Sequence, residues 1–338
     1  MNKKALAVGA AAAAGAGIYL YLRQQQNGAH TEKADHWSTA DMPDLSGKIV
    51  AVTGANSGIG FDAAREFACK GAHTILACRS MAKAETALSQ LKAEIPEASA
   101  EIMQLDLASL DSVRAFAAAF NEKFDRLNIL VNNAGIMMVA YATTEDGFES
   151  QFGTNHLGHF ALTGLLLEPL KRSGQARVVN ISSMGHHMGD MNFDNLMYAE
   201  GNGYSPTRAY GRSKLANLLF TNELQRRFET AGIDAIAVAA HPGTSRTNLT
   251  AHLEDGLAFR LFGPLMENAV QSAEMGALPT LRAAVDPHAG GGDYFGPDGF
   301  MQQRGYPVPV GMSSAAQNES DARQLWAVSE QLTGVSYL

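Results

Sequence analysis

Residues 52–61, VTGANSGIGF, place Gly54, Gly58 and Gly60 between an apolar run and an amphipathic one. The preceding run, KIVAVTG, is typical of a buried strand, and the following IGFDAAREFACKGA has helical periodicity. Glycines at such a turn let the backbone approach a pyrophosphate, because no Cβ atom stands in the way. The next helix then points its N-terminus at the negative charge. The stretch therefore predicts a dinucleotide-binding turn between a strand and a helix.

Outward from this turn, short apolar runs alternate with longer amphipathic patterns. The strand-like runs cover residues 48–54, 73–79, 100–107, 127–135, 177–183 and 233–243, and the helical patterns cover 59–72, 80–95, 109–124, 155–171 and 209–228. This alternation implies parallel βαβ units with both sheet faces covered. We predict an α/β fold, a single doubly wound Rossmann-type domain over residues 45–338 whose parallel sheet is flanked by helices.

The composition of the chain argues against nucleic acid and metal ions as binding partners. The net charge is -8 and the basic residues are scattered, so nucleic acid is not expected as a partner. The two cysteines, Cys69 and Cys78, lack the spacing of a zinc or redox pair, and we predict that both are buried thiols in a reducing compartment. His186 and His187 are adjacent in a predicted loop, a poor arrangement for chelating one ion, so no metal site is expected.

The N-terminal residues 1–23 form a hydrophobic segment. Residues 5–22 carry no charge and are flanked by Lys4 and Arg23. As a helix, this run would be about 27 Å long, a marginal span for a hydrocarbon core of about 30 Å. We favour a retained anchor that associates the chain with a membrane and leaves the folded domain in the cytoplasm. A cleaved signal peptide and a soluble cytoplasmic or exported protein are the alternatives. Residues 24–44 are polar and predict a linker.

The end of the second predicted strand indicates which nicotinamide cofactor fits. An acidic residue there accepts from the 2'-hydroxyl of NAD, but residues 76–80 read LACRS and contain no acid. Arg79 offers a permanently charged, planar group suited to a 2'-phosphate. The sequence therefore predicts NADP(H) as the cofactor.

Seven motifs follow one another in a recognisable order. They are TGANSGIG at 53–60, LDLAS at 105–109, NNAG at 132–135, NHLGHF at 155–160, VVNISS at 178–183, YGRSK at 210–214 and HPGT at 241–244. Together they resemble the short-chain dehydrogenase/reductase family from about residue 45 to the C-terminus. The chain is most similar to the retinol dehydrogenase-like group, with which light-dependent protochlorophyllide reductases share much of the pattern.

The resemblance implies four catalytic residues, namely Asn155, Ser183, Tyr210 and Lys214. Tyr210 would be the acid/base, and Lys214, one helical turn along, would lower the pKa of its phenol. Ser183 would hydrogen-bond the substrate oxygen, with the adjacent Ser182 as the competing choice. Asn155 would complete the proton relay to Lys214.

The resemblance also implies a set of cofactor contacts along the predicted edge of the sheet. Asp106 would meet the adenine, Asn133 the adenosine side of the cleft, and residues 242–244 the nicotinamide. The full predicted set is Gly54, Asn56, Ser57, Gly58, Ile59, Gly60, Arg79, Asp106, Leu107, Asn133, Ala134, Gly135, Tyr210, Lys214, Pro242, Gly243 and Thr244.

Two segments are expected to form a substrate wall. Residues 184–209 are rich in methionine, and residues 249–269 form an amphipathic run rich in Leu and Phe. Such lining suits a bulky lipophilic ligand, although the same residues could pack on the core or on a partner subunit of a homo-oligomer. We therefore expect an NADP(H)-dependent oxidoreductase acting on a lipophilic aldehyde, ketone or alcohol. A non-catalytic nucleotide-binding membrane scaffold and a specialised C=C reductase are the alternatives.

Overall fold

The computed structural model describes residues 36–244 and 271–338. Within these residues, eight strands form one sheet in the order β3-β2-β1-β4-β5-β6-β7-β8. The strands are β1 Ile49–Thr53, β2 His73–Cys78, β3 Ala100–Gln104, β4 Ile129–Asn132, β5 Ala176–Ile181, β6 Ala235–Ala240, β7 Tyr294–Pro297 and β8 Pro307–Pro309. Strands β1 to β6, which correspond to the six predicted runs, pair in parallel. The central part of the predicted sheet is confirmed.

Helices cover both faces of this sheet. They are α1 Gly58–Cys69, α2 Met81–Glu94, α3 Leu110–Lys123, α4 Gly158–Leu165, α5 Leu167–Ser173, α6 Pro206–Ala231, α7 Ala273–Val285 and α8 Glu319–Thr333. Helices α1, α2 and α7 share a core with Val50 and Val52 of β1, whereas α3, α4 and α6 share one with Ala51. Because successive strand residues point to opposite faces, β1 contributes to both layers, as a doubly wound sheet requires.

The sheet differs from the prediction at one edge. Strand β7 pairs in parallel with β6, but β8 runs antiparallel to β7, so the sheet is not wholly parallel. Both additional strands contain proline, which is depleted in strands and hides them from a search for apolar runs.

The long helix predicted near 155–171 is interrupted. A helical turn at Ser150–Phe152 leads into a π-helical turn at Gly153–Leu157, and α4 and α5 are separated at Leu166. Pro169 has no N–H to donate to the carbonyl of Leu165, and its ring crowds that carbonyl. The Leu165 carbonyl accepts instead from Asn121 Nδ2 at 3.2 Å. The break therefore has a local cause in the sequence.

The compact unit begins before the predicted boundary at residue 45. Trp37 and Met42 are buried in the same core as α1 and α7, so residues 37–44 belong to the domain and not to a linker. The predicted hydrophobic segment 1–23 and linker residues 24–35 lie outside the described residues. Among the residues that are described, no helix has the length and hydrophobicity to cross a membrane.

The two cysteines differ from one another. Cys78 is buried in β2, and burial raises the pKa of its thiol to about 11. Cys69 is exposed, which corrects the prediction that both thiols are buried. It is the last residue of α1 and lies outside the stripe of this helix that packs on the sheet.

Candidate active site

Each of the three glycines of the glycine-rich turn occupies a position that disfavours a side chain. Gly54 and Gly58 adopt positive φ angles of 68° and 55°. A Cβ atom on Gly60 would lie 2.6 Å from the Gly54 carbonyl oxygen and 2.5 Å from Asn133 Nδ2. Ser57 precedes α1 without capping it through its side chain, so the first N–H groups of the helix face outward for an anion. This cradle fits a dinucleotide pyrophosphate.

Thr53 ties this turn to the loop after β4. Its Oγ1 accepts from the N–H groups of Asn133 and Ala134, both at 2.9 Å, and Asn133 Nδ2 donates to the Thr53 carbonyl at 2.8 Å. The Thr53 hydroxyl donates to His159 Nε2 at 2.9 Å, since His159 Nδ1 donates to the Asn155 carbonyl at 3.0 Å. No sequence motif indicates these contacts of Thr53 and His159.

The predicted site residues that follow a strand lie along one edge of the sheet, because parallel strands end at the same edge. Gly54 follows β1, Arg79 β2, Asp106 and Leu107 β3, Asn133 and Gly135 β4, Ser183 β5, and Pro242 β6. Crevices at the carboxyl ends of such strands are where open α/β sheets bind ligands.

Asn155 lies in the π-helical turn and is buried. Its Oδ1 accepts from the Ile136 N–H at 2.8 Å, and its Nδ2 donates to the Ile136 carbonyl and to Ser213 Oγ, both at 2.9 Å. A Cβ atom on Gly135 would lie 3.0 Å from Asn155 Oδ1 and 3.6 Å from Lys214 Nζ. The amide and the ammonium therefore line the same side of the loop after β4.

Tyr210 and Lys214 occupy successive turns of α6. Lys214 Nζ lies 5.7 Å from the centroid of the Tyr210 ring and donates to the Ile181 carbonyl at 3.0 Å. Burial lowers the pKa of Lys214 to about 8. Burial also raises the pKa of Tyr210, opposed by a hydrogen bond with Ser183. That Lys214 lowers the pKa of the Tyr210 phenol stays a prediction.

The two adjacent serines after β5 have different surroundings. Ser182 is buried and its Oγ donates to the Lys214 carbonyl at 2.9 Å. Ser183 is partly exposed, and its Oγ accepts from the Gly185 N–H at 3.0 Å. A Cβ atom on Gly185 would lie 2.9 Å from Tyr210 Cε1, so Ser183 and the Tyr210 ring share one space. Of the two hydroxyls, that of Ser183 lies next to the Tyr210 ring.

The residues predicted to contact the adenosine part of the cofactor make fewer side-chain hydrogen bonds than Asn155 does. Arg79 is exposed at the end of β2 and makes no hydrogen bond or ion pair with another described residue. Asp106 is partly buried, and its Oδ1 accepts from the Ala108 N–H at 3.0 Å within its own loop. Leu107 is buried in the core, and both its carbonyl and its side chain pack against Gly158.

Hydrogen bonds with Gln303, between β7 and β8, and with Gln271, before α7, hold the predicted nicotinamide loop at residues 242–244. Gly243 has a φ of 63°, and a Cβ atom there would collide with the Gln303 carbonyl. The same carbonyl accepts from the Thr244 N–H at 2.8 Å, and Gln271 Nε2 donates to the Pro242 carbonyl at 2.7 Å. Gln271 and Gln303 were not predicted, since neither belongs to a recognisable motif.

His186 is engaged at both ring nitrogens. Its Nδ1 donates to the Ser183 carbonyl at 2.7 Å, and its Nε2 accepts from the Ser313 N–H at 3.3 Å. Over residues 36–244 and 271–338, no group of three or more His, Cys, Asp or Glu side chains could hold a metal ion.

Of the two predicted substrate segments, residues 184–209 are described and residues 249–269 lie outside the described part of the chain. The first segment is joined to the loop after β4. The Tyr204 hydroxyl donates to the Val139 carbonyl at 2.8 Å and accepts from Gln151 Nε2 at 2.8 Å. The segment is therefore in contact with Tyr210 at Gly185 and with the loop after β4 at Tyr204.

The glycine-rich turn follows the first strand of a Rossmann-type sheet. A tyrosine, a lysine, a serine and an asparagine lie near the carboxyl ends of the strands. Together these features indicate a nicotinamide-dependent oxidoreductase. A family model described as short chain dehydrogenase matches residues 48–258. The chain belongs to the short-chain dehydrogenase family, and the resemblance drawn from its seven motifs is confirmed.

Individual relatives agree with this assignment. The chain is 42% identical over 294 residues to mouse retinol dehydrogenase 12, covering 87% of this chain and 88% of the relative. It is 44% identical over 296 residues to human retinol dehydrogenase 13, covering 86% of each. A solved structure from Mycobacterium paratuberculosis superposes with a TM-score of 0.74 at 44% identity, covering 90% of this chain and 99% of that one. A protein from Beutenbergia cavernae, solved with bound NADP at low occupancy, has a TM-score of 0.57 at 26% identity over 72% and 91% of the two chains.

Proposed function

We propose that this oxidoreductase uses NADP(H) and interconverts a lipophilic aldehyde or ketone with the corresponding alcohol. The observation that carries the proposal is that Asn155 and Lys214 lie together beside the loop after β4, and Ser183 and Tyr210 lie together beside Gly185. A protein that only senses a nucleotide has no need of a proton donor, an oxygen-binding hydroxyl and a buried ammonium at one point.

Each of the four side chains has a different role in carbonyl reduction. The bound cofactor supplies the hydride. Ser183 hydrogen-bonds the carbonyl oxygen and stabilises the negative charge that develops there. Tyr210 donates a proton to this oxygen, acting as a general acid. Burial raises the pKa of Tyr210, which keeps its hydroxyl protonated and able to donate.

Lys214 and Asn155 have a supporting role in proton transfer to Tyr210. The Lys214 ammonium, with a pKa lowered to about 8 by burial, can release and regain a proton near neutral pH. Asn155 is fixed by three hydrogen bonds to Ile136 and Ser213, so it presents a constant polar surface near Lys214. We assign these two residues to the return of a proton to Tyr210 after each turnover.

The preference for NADP(H) rests on Arg79. It is exposed at the carboxyl end of β2, and residues 77–80 contain no acidic side chain. A guanidinium there can meet a 2'-phosphate, and a solved relative carries NADP.

Replacing Arg79 with alanine is expected to raise the KM for NADPH about tenfold to a hundredfold and to leave the KM for NADH nearly unchanged. A charge-assisted phosphate contact has about that effect on binding, and NADH lacks the phosphate. The measurement is kcat/KM for both cofactors. Arg126→Ala is the control, since Arg126 is exposed before β4, at the opposite edge of the sheet. A wild-type preference for NADH would overturn the assignment.

The substrate class follows from the apolar segment beside Tyr210 and from relatives named retinol dehydrogenases. We expect kcat/KM for NADPH-dependent reduction to rise at least about tenfold from butanal to decanal, because each buried methylene adds to binding. Retinaldehyde belongs in the same screen. Equal values along the series would contradict a lipophilic pocket. NADPH binding without turnover of any carbonyl would indicate a scaffold, and turnover of activated alkenes alone would indicate a C=C reductase.

We also propose that residues 5–22 hold the protein at a membrane with the folded domain in the cytoplasm. The uncharged run supports this proposal because its length as a helix is close to the thickness of a hydrocarbon core. A lipophilic substrate would be concentrated in the same bilayer.

A further inference from the structure

Arg212 is a buried arginine two residues after Tyr210 on α6. Its side chain is 2% exposed, yet every hydrogen bond of its guanidinium goes to the segment between Ser183 and Tyr210. Nη1 donates to the carbonyls of Asn195 and Leu196, both at 2.8 Å.

Asp190 supplies the remaining acceptors. Arg212 Nε donates to the Asp190 carbonyl at 3.2 Å, and both Nε and Nη2 donate to Asp190 Oδ1, at 3.2 and 2.5 Å. The Tyr198 ring covers the guanidinium, with its centroid 4.2 Å from Arg212 Cζ. The Arg212 side chain of α6 therefore contacts three parts of the segment between Ser183 and Tyr210, at residues 190, 195–196 and 198.

The energetic reason is that a guanidinium cannot be deprotonated and is costly to bury without partners. The segment provides those partners only when its backbone carbonyls converge on Arg212. The conformation of residues 190–198 and the burial of this charge are thus mutually dependent.

The segment also lies directly on α6. A Cβ atom on Gly189 would collide with the Gly211 carbonyl, so the two backbones are in contact beside Arg212. At its far end, Tyr204 fixes the segment to the loop after β4 through the Val139 carbonyl and Gln151. The residues between these two attachments belong to the predicted substrate wall, residues 184–209.

We propose that Arg212 is a specificity-determining positioning residue, which holds residues 189–205 in one shape so that the site favours long apolar carbonyl substrates. The inference rests on the proposed function. A short aldehyde reaches Ser183 and Tyr210 without touching most of the wall. A long one must bind along it, and therefore depends on its shape.

The test compares Arg212→Met, which keeps an unbranched apolar stem but removes the charged group and its donors, with Arg212→Lys, which keeps the charge but loses the planar fork. We expect Arg212→Met to lower kcat/KM for decanal about tenfold to a hundredfold and that for butanal less than about threefold, with the KM for NADPH unchanged. Arg212→Lys should recover part of the loss. Arg208→Met is the matched control, since Arg208 is exposed one turn earlier on α6 and makes no hydrogen bond or ion pair with another described residue.

Hydrogen exchange gives a readout that does not depend on turnover. Amides of residues 190–204 should exchange faster in Arg212→Met, while those of β1, β4 and β5 keep their protection. If Arg212→Met does not fold, Asp190→Asn serves instead, since the Asp190 side chain is 49% exposed and its change should act in the same direction with a smaller effect.

Equal losses for butanal and decanal, or unchanged exchange over residues 190–204, would show that Arg212 only stabilises the fold, with the proposed function intact. A wild-type enzyme that reduces no carbonyl compound would instead overturn the proposed function, and the inference with it.

Discussion

Replacing Tyr210 with phenylalanine is expected to lower kcat at least about a hundredfold and to leave the Kd for NADPH unchanged. A positioned general acid contributes about a hundredfold to ten-thousandfold. The phenylalanine ring preserves the packing against Gly185 and Lys214, so the variant removes only the hydroxyl. Single-turnover NADPH oxidation measures the chemical step, and fluorescence titration of NADPH measures binding.

The control for this experiment is Tyr141→Phe. Tyr141 is 37% exposed and its hydroxyl makes no hydrogen bond to another described residue, so both constants should keep their wild-type values. Loss of NADPH binding in Tyr210→Phe would assign Tyr210 a role in holding the cofactor. Retained turnover would mean that another group donates the proton.

Ser183→Ala should raise the activation barrier by about 2 kcal/mol or more, about thirtyfold in kcat/KM, by removing the hydrogen bond to the developing oxyanion. Ser182→Ala should cost far less turnover. Its hydroxyl is buried against the Lys214 carbonyl, so we expect its loss to lower the free energy of unfolding by about 1 kcal/mol.

Measuring kcat/KM and the urea midpoint for both variants separates these two roles, and each serine is the control for the other. The reverse order, with Ser182→Ala more damaging to turnover, would mean that the strand presents the other face to the substrate. Equal effects on turnover would contradict a direct contact with substrate for either residue alone.

Most of the fold could be predicted because its central strands are buried on both faces and are therefore apolar throughout. The parts that were missed lack this signal. β7 and β8 contain prolines, the break at Leu166 arises from a proline three residues later, and Trp37 and Met42 join the core as isolated apolar residues in a polar stretch. Local pattern cannot show which single side chains will find a partner far along the chain.

The candidate site could be predicted where chemistry depends on spacing along one element. Tyr210 and Lys214 lie on one face of α6 because they are four residues apart, and Ser182 and Ser183 point in opposite directions because they follow one another in extended backbone. The supporting residues depend on tertiary structure. Nothing near Thr53 or Gln303 in the sequence indicates the loop that each one holds.

The antiparallel strand β8 has a consequence for assembly. It is three residues long, and Pro307 and Pro309 have no N–H to offer, so this border of the sheet presents almost no donors to an approaching strand. A second copy of the chain cannot extend the sheet there into a continuous intermolecular one. Two copies that associate on this side must do so through side chains of helices and loops, and such a contact leaves each sheet intact when the copies separate.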